Sequence, residues 1–275
     1  MDPLFEALRG AQQLPAPAPA MPAAQPAPAQ RLLVVGAGGK LGAAVLEQAL
    51  AAGRFAAVQA LVAEPLTLAV AGLQALQAAD IESAASPGAQ APACGSEGAL
   101  KIADTGVIVF ERQRHSNGRD AAFVQPQPEA LVALAHGLRL AGMLRLLVVL
   151  PHSPALLPHA LAHGLASLDE AAVAALGFEQ LVFFRAAQHG SALASAGAMQ
   201  RLAGWWLSQL RWMVPAQDQP LRADSLAACV VQLARCLPTA SQGTRVLAPS
   251  TLWPMTRPGV DLALELQRWL GAAHQ

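Results

Sequence analysis

Three observations predict an α/β fold with a doubly wound parallel sheet in a single domain. Four apolar residues, Leu32 to Val35, are typical of an interior strand of a parallel sheet. A glycine turn and a helix over residues 40–52 follow this strand directly. Further apolar strands then alternate with helices along the chain. Because such strands pair in parallel with right-handed crossovers, we expect helices on both faces of the sheet.

The composition excludes several function classes. The 275 residues are 54% hydrophobic, and 18 basic residues balance 18 acidic ones. A neutral chain lacks the basic surface that nucleic acid requires, so nucleic acid is not expected as a partner. No run of 18 apolar residues is free of polar interruption, so no membrane span is expected either. Cys94, Cys229 and Cys236 form no CxxC pattern, which favours reduced thiols and a cytoplasmic location.

The amino-terminal residues 1–30 are predicted to be a flexible tail rich in proline and alanine. Alternating prolines remove amide donors and favour an extended polyproline conformation. Residues 2–9 form either a frayed end or a docking peptide for a partner. The folded domain is therefore expected to span residues 31–275.

The remaining elements are expected from apolar periodicity and from the positions of glycine and proline. Strands are predicted at 58–62, 73–78, 106–110, 145–150, 179–184 and 245–247. Helices are predicted at 126–141, 156–176, 198–214, 225–236 and 261–272. Residues 82–101, rich in small residues, receive no assignment.

The glycine turn is the strongest functional signal. Gly36 permits a tight turn off the strand, Gly39 lets backbone approach a pyrophosphate, and Gly42 lets the helix pack close to the strand. Helix amides at this end would bind the phosphates. The candidate cofactor-binding residues of the turn are Gly36, Ala37, Gly38, Gly39, Lys40, Leu41 and Gly42. The alternative is a turn whose glycines serve packing alone.

The end of the second predicted strand carries a candidate for ribose recognition. Glu64 could accept hydrogen bonds from the hydroxyls of an adenosine ribose, and it would repel a 2′-phosphate. No arginine stands beside it in the sequence. The pattern therefore favours NAD over NADP as the cofactor, unless Glu64 is merely a solvated loop carboxylate.

Histidines follow the strand predicted at 145–150. His152, His159 and His163 lie near the sheet edge where ligands bind in open α/β folds. His159 and His163 are four residues apart, so a helix would place them on one face. Ser153 is a weak candidate nucleophile, because no GxSxG motif surrounds it. Surface histidines are the alternative, and the spacing predicts no metal site.

Two other helices carry patterns without obvious chemistry. The helix predicted at 198–214 contains Trp205, Trp206 and Trp212. It is a candidate pocket wall, partner surface or subunit interface, although core packing is the simpler interpretation. A protein partner or a homo-oligomer is therefore possible. Cys229 and Cys236 share a helix face, which indicates buried packing.

Taken together, these motifs resemble the short-chain dehydrogenase/reductase superfamily, in its atypical NmrA-like and epimerase-like branch of NAD(P)-binding Rossmann proteins. The GxxGxxG turn is similar to the form found in that branch. The run LGFEQLVFFR at residues 176–185 resembles its strand after the active-site helix, and RADSLAA at residues 222–228 resembles a later helix start. The likeness covers roughly residues 31–250 and implies an NAD(P)-binding domain.

The chain departs from that family in the residues that perform the reaction. Family members use a serine and a Tyr-xxx-Lys pair, whereas this chain has no tyrosine and only Lys40 and Lys101 as lysines. Counting back from the LGF motif puts Ala162 and Ala166 at the pair's positions. The sequence thus favours a pseudoenzyme, a cofactor-binding regulatory or scaffold protein. The alternatives are an oxidoreductase or epimerase with a histidine acid/base, and a structural subunit with a collapsed site.

Overall fold

A computed structural model of the chain describes residues 30–66, 70–85, 102–111, 120–152, 167–187, 221–257 and 259–272. Within these ranges, seven strands form one sheet. In chain order they are β1 (Arg31–Val35), β2 (Ala57–Leu61), β3 (Leu73–Leu76), β4 (Thr105–Val109), β5 (Arg145–His152), β6 (Gln180–Ala187) and β7 (Gly243–Leu247).

The strand order in the sheet is β3-β2-β1-β4-β5-β6-β7, and every neighbouring pair is parallel. β1 therefore lies between β2 and β4, and the chain winds away from it in opposite directions. Leu32 pairs with Val58 on one side and with Thr105 on the other. The predicted doubly wound parallel sheet in a single domain is confirmed.

Helices cover both faces of the sheet. In the described ranges they are α1 (Lys40–Ala51), α2 (Ala78–Ala85), α3 (Leu131–Leu140), α4 (Leu168–Ala174), α5 (Ala223–Cys236), α6 (Pro249–Met255) and α7 (Leu262–Ala272). Alternate residues of β1 point to opposite faces, as the strand period of two requires. Leu32 and Val34 pack in the cluster that includes α1, α5, α6 and α7. Leu33 and Val35 pack in the cluster that includes α2, α3 and α4.

Several elements differ from the sequence expectation in their bounds. The helix expected at 126–141 is a 3₁₀ turn at Pro128–Ala130 followed by α3, since the prolines at 126 and 128 favour extended backbone before them. Residues 82–85, for which the sequence predicts no element, complete α2, and β3 ends at Leu76 before that helix. β5 and β6 are longer than expected because they pair with each other as far as His152 and Ala187.

Helix α6 was not expected from the sequence. Its sequence PSTLWPM begins with a proline at the first helical position, where proline is well accommodated. Pro254 near its other end weakens the helical pattern. Burial of Leu252 and Met255 against the core stabilises the helix despite its poor local propensity.

Some expectations fall outside the described residues. These are the tail at 1–29, the tryptophan helix at 198–214 and residues 156–166 of the helix expected at 156–176. The part of that helix within the described ranges is α4, and Gly177 follows it with φ +75°. No helix in the described ranges is both long and apolar enough to span a membrane.

Candidate functional site

The candidate site lies at the carboxyl edge of the sheet, where β1 is flanked by β2 and β4. Crossovers leave β1 toward opposite sides of the sheet at this point. In open α/β sheets, the loops at such a switch point separate and leave a crevice for a ligand. The glycine turn connects β1 to α1 at this edge.

The backbone of the glycine turn requires glycine at two positions. Gly36 has φ +89°, a conformation that side-chain-bearing residues rarely adopt. A Cβ on Gly42 would collide with the carbonyl oxygen of Gly36. The start of α1 therefore packs directly on the end of β1. The first and third glycines of the motif shape a turn in which the N–H groups of Gly38, Gly39 and Leu41 meet acceptors from other segments. The N–H of Gly39 also lies 3.4 Å from the carbonyl oxygen of Gly36.

A carboxylate from another strand end lies on this turn. The N–H of Leu41 donates to Oε2 of Glu111 at 2.8 Å. Glu111 follows β4 after the buried Phe110, whose N–H donates to the carbonyl of Val149 at 3.0 Å. That bond extends β4 past the end of β1 and brings Glu111 over the turn.

Glu111 supplies the N-terminal cap and the negative charge that α1 lacks in its own sequence. The N-cap residue of α1 is Gly39, which has no side chain to cap the helix, and the first turn of α1 contains no acidic residue. The free N–H groups and the positive end of the helix dipole favour a negative charge there. The Glu111 carboxylate is thus a resident anion at a helix N-terminus.

A side-chain amide satisfies the other two N–H groups. In the orientation that satisfies both of its ends, the amide oxygen of Gln125 accepts from Gly38 at 3.1 Å and from Gly39 at 3.0 Å. The next residue, Pro126, lies above Gly36, with its Cδ 3.2 Å from the position of a Cβ there. Glu111 and Gln125 together, hereafter the Glu111–Gln125 plug, therefore cover the glycine turn.

The segment that carries Gln125 is attached to the end of β2. The N–H of Ala63 donates to the carbonyl of Ala122 at 2.8 Å, and the N–H of Val124 donates to the carbonyl of Leu61 at 3.1 Å. Val62 and Phe123 form an antiparallel bridge. Residues 122–126, hereafter the strap, thus run from the end of β2 to the glycine turn.

Glu64 lies at the β2 end of this strap. Its side chain is exposed, and its N–H lies 3.4 Å from the carbonyl oxygen of Ala122. Glu64 stands three residues after the end of β2, and the sequence predicts ribose recognition at this residue. Glu64 and the turn at residues 36–42 thus lie at opposite ends of the strap.

Of the histidine candidates, the structure describes only His152, at the other half of the sheet edge. His152 is the last residue of β5 and pairs with Ala187 of β6. Ser153, His159 and His163 lie outside the described residues. Within the described ranges, no group of three His, Cys, Asp or Glu side chains is arranged to hold a metal ion.

A buried ion pair occupies the same half. Arg185 of β6 donates through Nη2 to Oε2 of Glu170 at 2.9 Å, and both side chains are almost fully buried. Glu170 is held in the first turn of α4, where its N–H donates to the hydroxyl of Ser167 at 3.1 Å. The arginine that ends the LGFEQLVFFR run therefore joins α4 to β6.

The sequence analysis did not identify Glu111 or Gln125. Glu111 is 70 residues from Leu41 in the chain, and Gln125 reaches the turn only because the strap pairs with β2. One signal was available for Glu111: it stands two residues after β4, the strand beside β1. The carboxyl ends of neighbouring parallel strands meet at one edge, so an acidic residue there lies near the glycine turn.

The chain is similar in structure to several solved proteins at low sequence identity. A Rossmann-fold NAD(P)-binding family protein from Shigella flexneri is 13% identical, with a TM-score of 0.45 over 85% of this chain and 96% of that one. UDP-N-acetylglucosamine 4-epimerase from Bacillus cereus is 13% identical, with a TM-score of 0.43 over 90% and 100%. The Bordetella bronchiseptica enzyme WbmG, in complex with NAD, is 15% identical, with a TM-score of 0.43 over 90% and 79%.

No protein-family model and no curated protein matches the sequence. The class is defined instead by the strand order and by the turn after β1. A parallel sheet that contains the order 3-2-1-4-5-6, with helices on both faces and a glycine turn at the switch point, is a Rossmann-type fold.

Proposed function

We propose that this chain is a dinucleotide-binding protein that uses the cofactor for regulation or as a scaffold rather than for standard oxidoreductase chemistry. One observation carries the proposal: the glycine turn after β1 holds an anion, the Glu111 carboxylate, on the N–H of Leu41. A carboxylate there stands in for a phosphate oxygen, which the same donors would bind. The resemblance to atypical short-chain dehydrogenases supports the same ligand class.

The residues present fit a pyrophosphate once the Glu111–Gln125 plug moves aside. The N–H groups of Gly38, Gly39 and Leu41 would hold its oxygens, and Lys40, exposed on the turn, would add a positive charge nearby. The absence of a Cβ at Gly39 leaves space for the ligand, and the Glu111 carboxylate fills that space in this structure. When bound, NAD(H) or NADP(H) would supply a hydride donor or acceptor.

NAD(H) is the cofactor that the chain favours in this proposal. Glu64 is exposed after β2, where its carboxylate can accept hydrogen bonds from two ribose hydroxyls. A 2′-phosphate at the same place would meet a like charge, which disfavours NADP(H). Loss of that discrimination in Glu64→Gln, with no change in Glu47→Gln on the exposed face of α1, would support the assignment.

The regulatory or scaffold role follows from the residues that the chain lacks. Tyrosine-based hydride transfer needs a phenol that passes a proton as the hydride moves, and this chain contains no tyrosine. Neither Lys40 nor Lys101 can take the place of the family's lysine, because neither follows β5. The protein partner, the homo-oligomer and the cytoplasmic location expected from the sequence belong to this proposal.

The test is direct binding of NADH and NADPH to the purified protein, followed by Gly39→Val. A valine at position 39 places a side chain where the pyrophosphate would lie, so we expect binding to be lost while cooperative unfolding is retained. Gly271→Val is the matched control, because a Cβ on Gly271 meets nothing within 4 Å. Undiminished affinity in Gly39→Val, or tighter binding of NADPH than of NADH, would contradict the proposal.

A substrate panel separates this function from the enzymatic alternative. We expect no NADH oxidation with carbonyl, quinone or sugar-nucleotide substrates, because general acid/base assistance of about 10²- to 10⁴-fold is missing. The panel is run beside His152→Ala, His159→Ala and His163→Ala. Turnover that one of these variants removes would identify a histidine base and would overturn the non-catalytic interpretation.

A further inference from the structure

We infer that the Glu111–Gln125 plug is an autoinhibitory contact: the protein's own carboxylate and amide occupy the phosphate site, and a dinucleotide binds only after displacing them. The inference rests on the proposed function and specifies how that site is controlled. Its starting point is that these N–H groups of the turn already have acceptors, at 2.8 Å for Leu41, 3.1 Å for Gly38 and 3.0 Å for Gly39.

Sterics make the plug and the ligand mutually exclusive. A Cβ built on Gly39 would collide with Oε2 of Glu111 and would lie 3.1 Å from its Cδ. The carboxylate is therefore in the space that a glycine at this position otherwise leaves for a pyrophosphate. A phosphate could not enter without moving Glu111.

Repulsion between like charges also prevents the plug and a pyrophosphate from occupying the site together. A carboxylate and a pyrophosphate are both negative, so they cannot share the end of one helix without repulsion. The two anions compete for the N–H of Leu41, which bonds one acceptor at 2.8 Å in this structure. With competition of this kind, the apparent affinity is the intrinsic affinity multiplied by the fraction of molecules in which the plug is withdrawn.

The strap extends the plug to the adenosine side of the site. It runs from Ala122, whose carbonyl accepts from the N–H of Ala63, to Gln125 on the glycine turn. It therefore lies between Glu64 and Gly39, the two positions assigned to ribose and pyrophosphate. Withdrawal of Gln125 from the turn would uncover the region between them.

The plug is displaceable because its groups are not locked in the interior. Glu111 and Gln125 are both partly exposed, so each can exchange its backbone partners for water. The turn also loses no hydrogen bonds when a phosphate arrives, since phosphate oxygens replace the two side-chain oxygens. Dinucleotide binding thus replaces the side-chain oxygens of the plug with phosphate oxygens as the acceptors of the turn.

The experiment measures NADH affinity in the full-length wild type and in Glu111→Ala, Glu111→Gln and Gln125→Ala. If the plug is withdrawn in a tenth of the molecules, Glu111→Ala binds about tenfold more tightly than the wild type. Glu111→Gln keeps an acceptor and loses the charge, so we expect a smaller gain. Glu47→Ala makes the same change in net charge on the exposed face of α1 and should leave affinity unchanged.

Amide hydrogen exchange at Leu41 provides a second readout. We expect slow exchange in the wild type, fast exchange in Glu111→Ala, and slow exchange again when Glu111→Ala is saturated with NADH. A Glu111 that only caps α1 would give the first two results without any gain in affinity. Exchange at Val45, inside the same helix, reports whether α1 has frayed.

The outcomes distinguish this inference from the proposed function. Tighter NADH binding in Glu111→Ala than in the wild type supports both the plug and dinucleotide binding. Binding in Glu111→Ala alone supports the plug and shows that the wild-type site stays closed to NADH. Equal or weaker binding in both Glu111 variants overturns the plug and leaves dinucleotide binding intact. No binding in any variant, with Leu41 and Val45 still protected in Glu111→Gln, overturns both.

Discussion

Two glutamates at the carboxyl edge of the sheet are held in different ways. Glu170 pairs with Arg185 at 2.9 Å, and the two side chains are only 7% and 3% exposed. Glu111 is partly exposed, and the bond that holds its carboxylate on the glycine turn comes from the backbone N–H of Leu41. One carboxylate joins two elements of the core, whereas the other covers a turn that faces solvent.

The difference separates a structural anion from an exchangeable one. Removing one partner of a buried ion pair leaves a charge in a medium that solvates it poorly. Removing an anion from an exposed helix N-terminus leaves N–H groups that water or another anion can satisfy. The Glu170 carboxylate is therefore fixed between α4 and β6, whereas the bond that holds the Glu111 carboxylate can be exchanged for water or another anion.

The largest expected effect comes from breaking the buried pair. Arg185→Met should lower the free energy of unfolding by about 3–5 kcal/mol, because the Glu170 carboxylate stays buried without the guanidinium. The double variant Glu170→Leu/Arg185→Met should recover most of the loss, since both charges are then gone. Unfolding by urea measures all three proteins.

The control for this prediction is Arg268→Met. Arg268 pairs with Glu265 at 2.6 Å on the surface of α7, where the arginine side chain is 66% exposed. An exposed pair contributes about 0–1 kcal/mol, so this variant should unfold close to the wild type. A similar loss in Arg185→Met and Arg268→Met would mean that burial does not distinguish the two carboxylates as argued.

A second buried group, the Cys229 thiol, extends the comparison to the pH dependence of stability. Burial raises the pKa of the Cys229 thiol from 9.0 to about 12. Between these values the folded state keeps a proton that the unfolded state releases, so stability falls as pH rises. This contribution is fully present below about pH 9 and declines by about 1.4 kcal/mol per pH unit above it.

The measurement is the urea midpoint from about pH 8 to about pH 11 for the wild type and Cys229→Ala. The variant loses some stability at every pH from the smaller side chain, but its decline above pH 9 should be shallower. Parallel curves for the two proteins would show that Cys229 ionises without cost in the folded state, and that burial at α5 is less complete than its packing indicates.

The sequence predicted the parts of the site that are local in the chain. β1, the turn and α1 are consecutive, and the apolar run and glycine spacing report them directly. The conformation of Gly36 and the close approach at Gly42 belong to the same continuous segment, residues 31–51. The parallel, doubly wound character of the sheet follows from the alternation of strands and helices, together with right-handed crossovers.

The contacts that close the site could not be predicted in the same way. Glu111 meets Leu41 because β4 continues past β1, and Gln125 meets the turn because residues 122–124 pair with the end of β2. Both depend on the three-dimensional path of segments far apart in sequence, and no periodicity records that path. The contact between Arg185 and Glu170 is equally distant from any local pattern, although the LGFEQLVFFR run that contains Arg185 is visible in the sequence.

The smallest expected effect is on the stability of the Glu111 variants, and it decides whether the plug can open. Glu111→Ala should lower the free energy of unfolding by about 1 kcal/mol, the usual contribution of a helix N-terminal cap. Glu111→Gln should cost less, because its amide oxygen can still accept from Leu41. Urea unfolding of both variants beside Glu47→Ala measures the difference, with NADH then added to each.

Because a ligand that binds only the folded state stabilises it in proportion to the logarithm of its affinity, saturating NADH should stabilise Glu111→Ala more than the wild type. A loss as large as that of Arg185→Met would make Glu111 a fixed structural anion like Glu170, and the turn would then be a closed cap rather than a binding site.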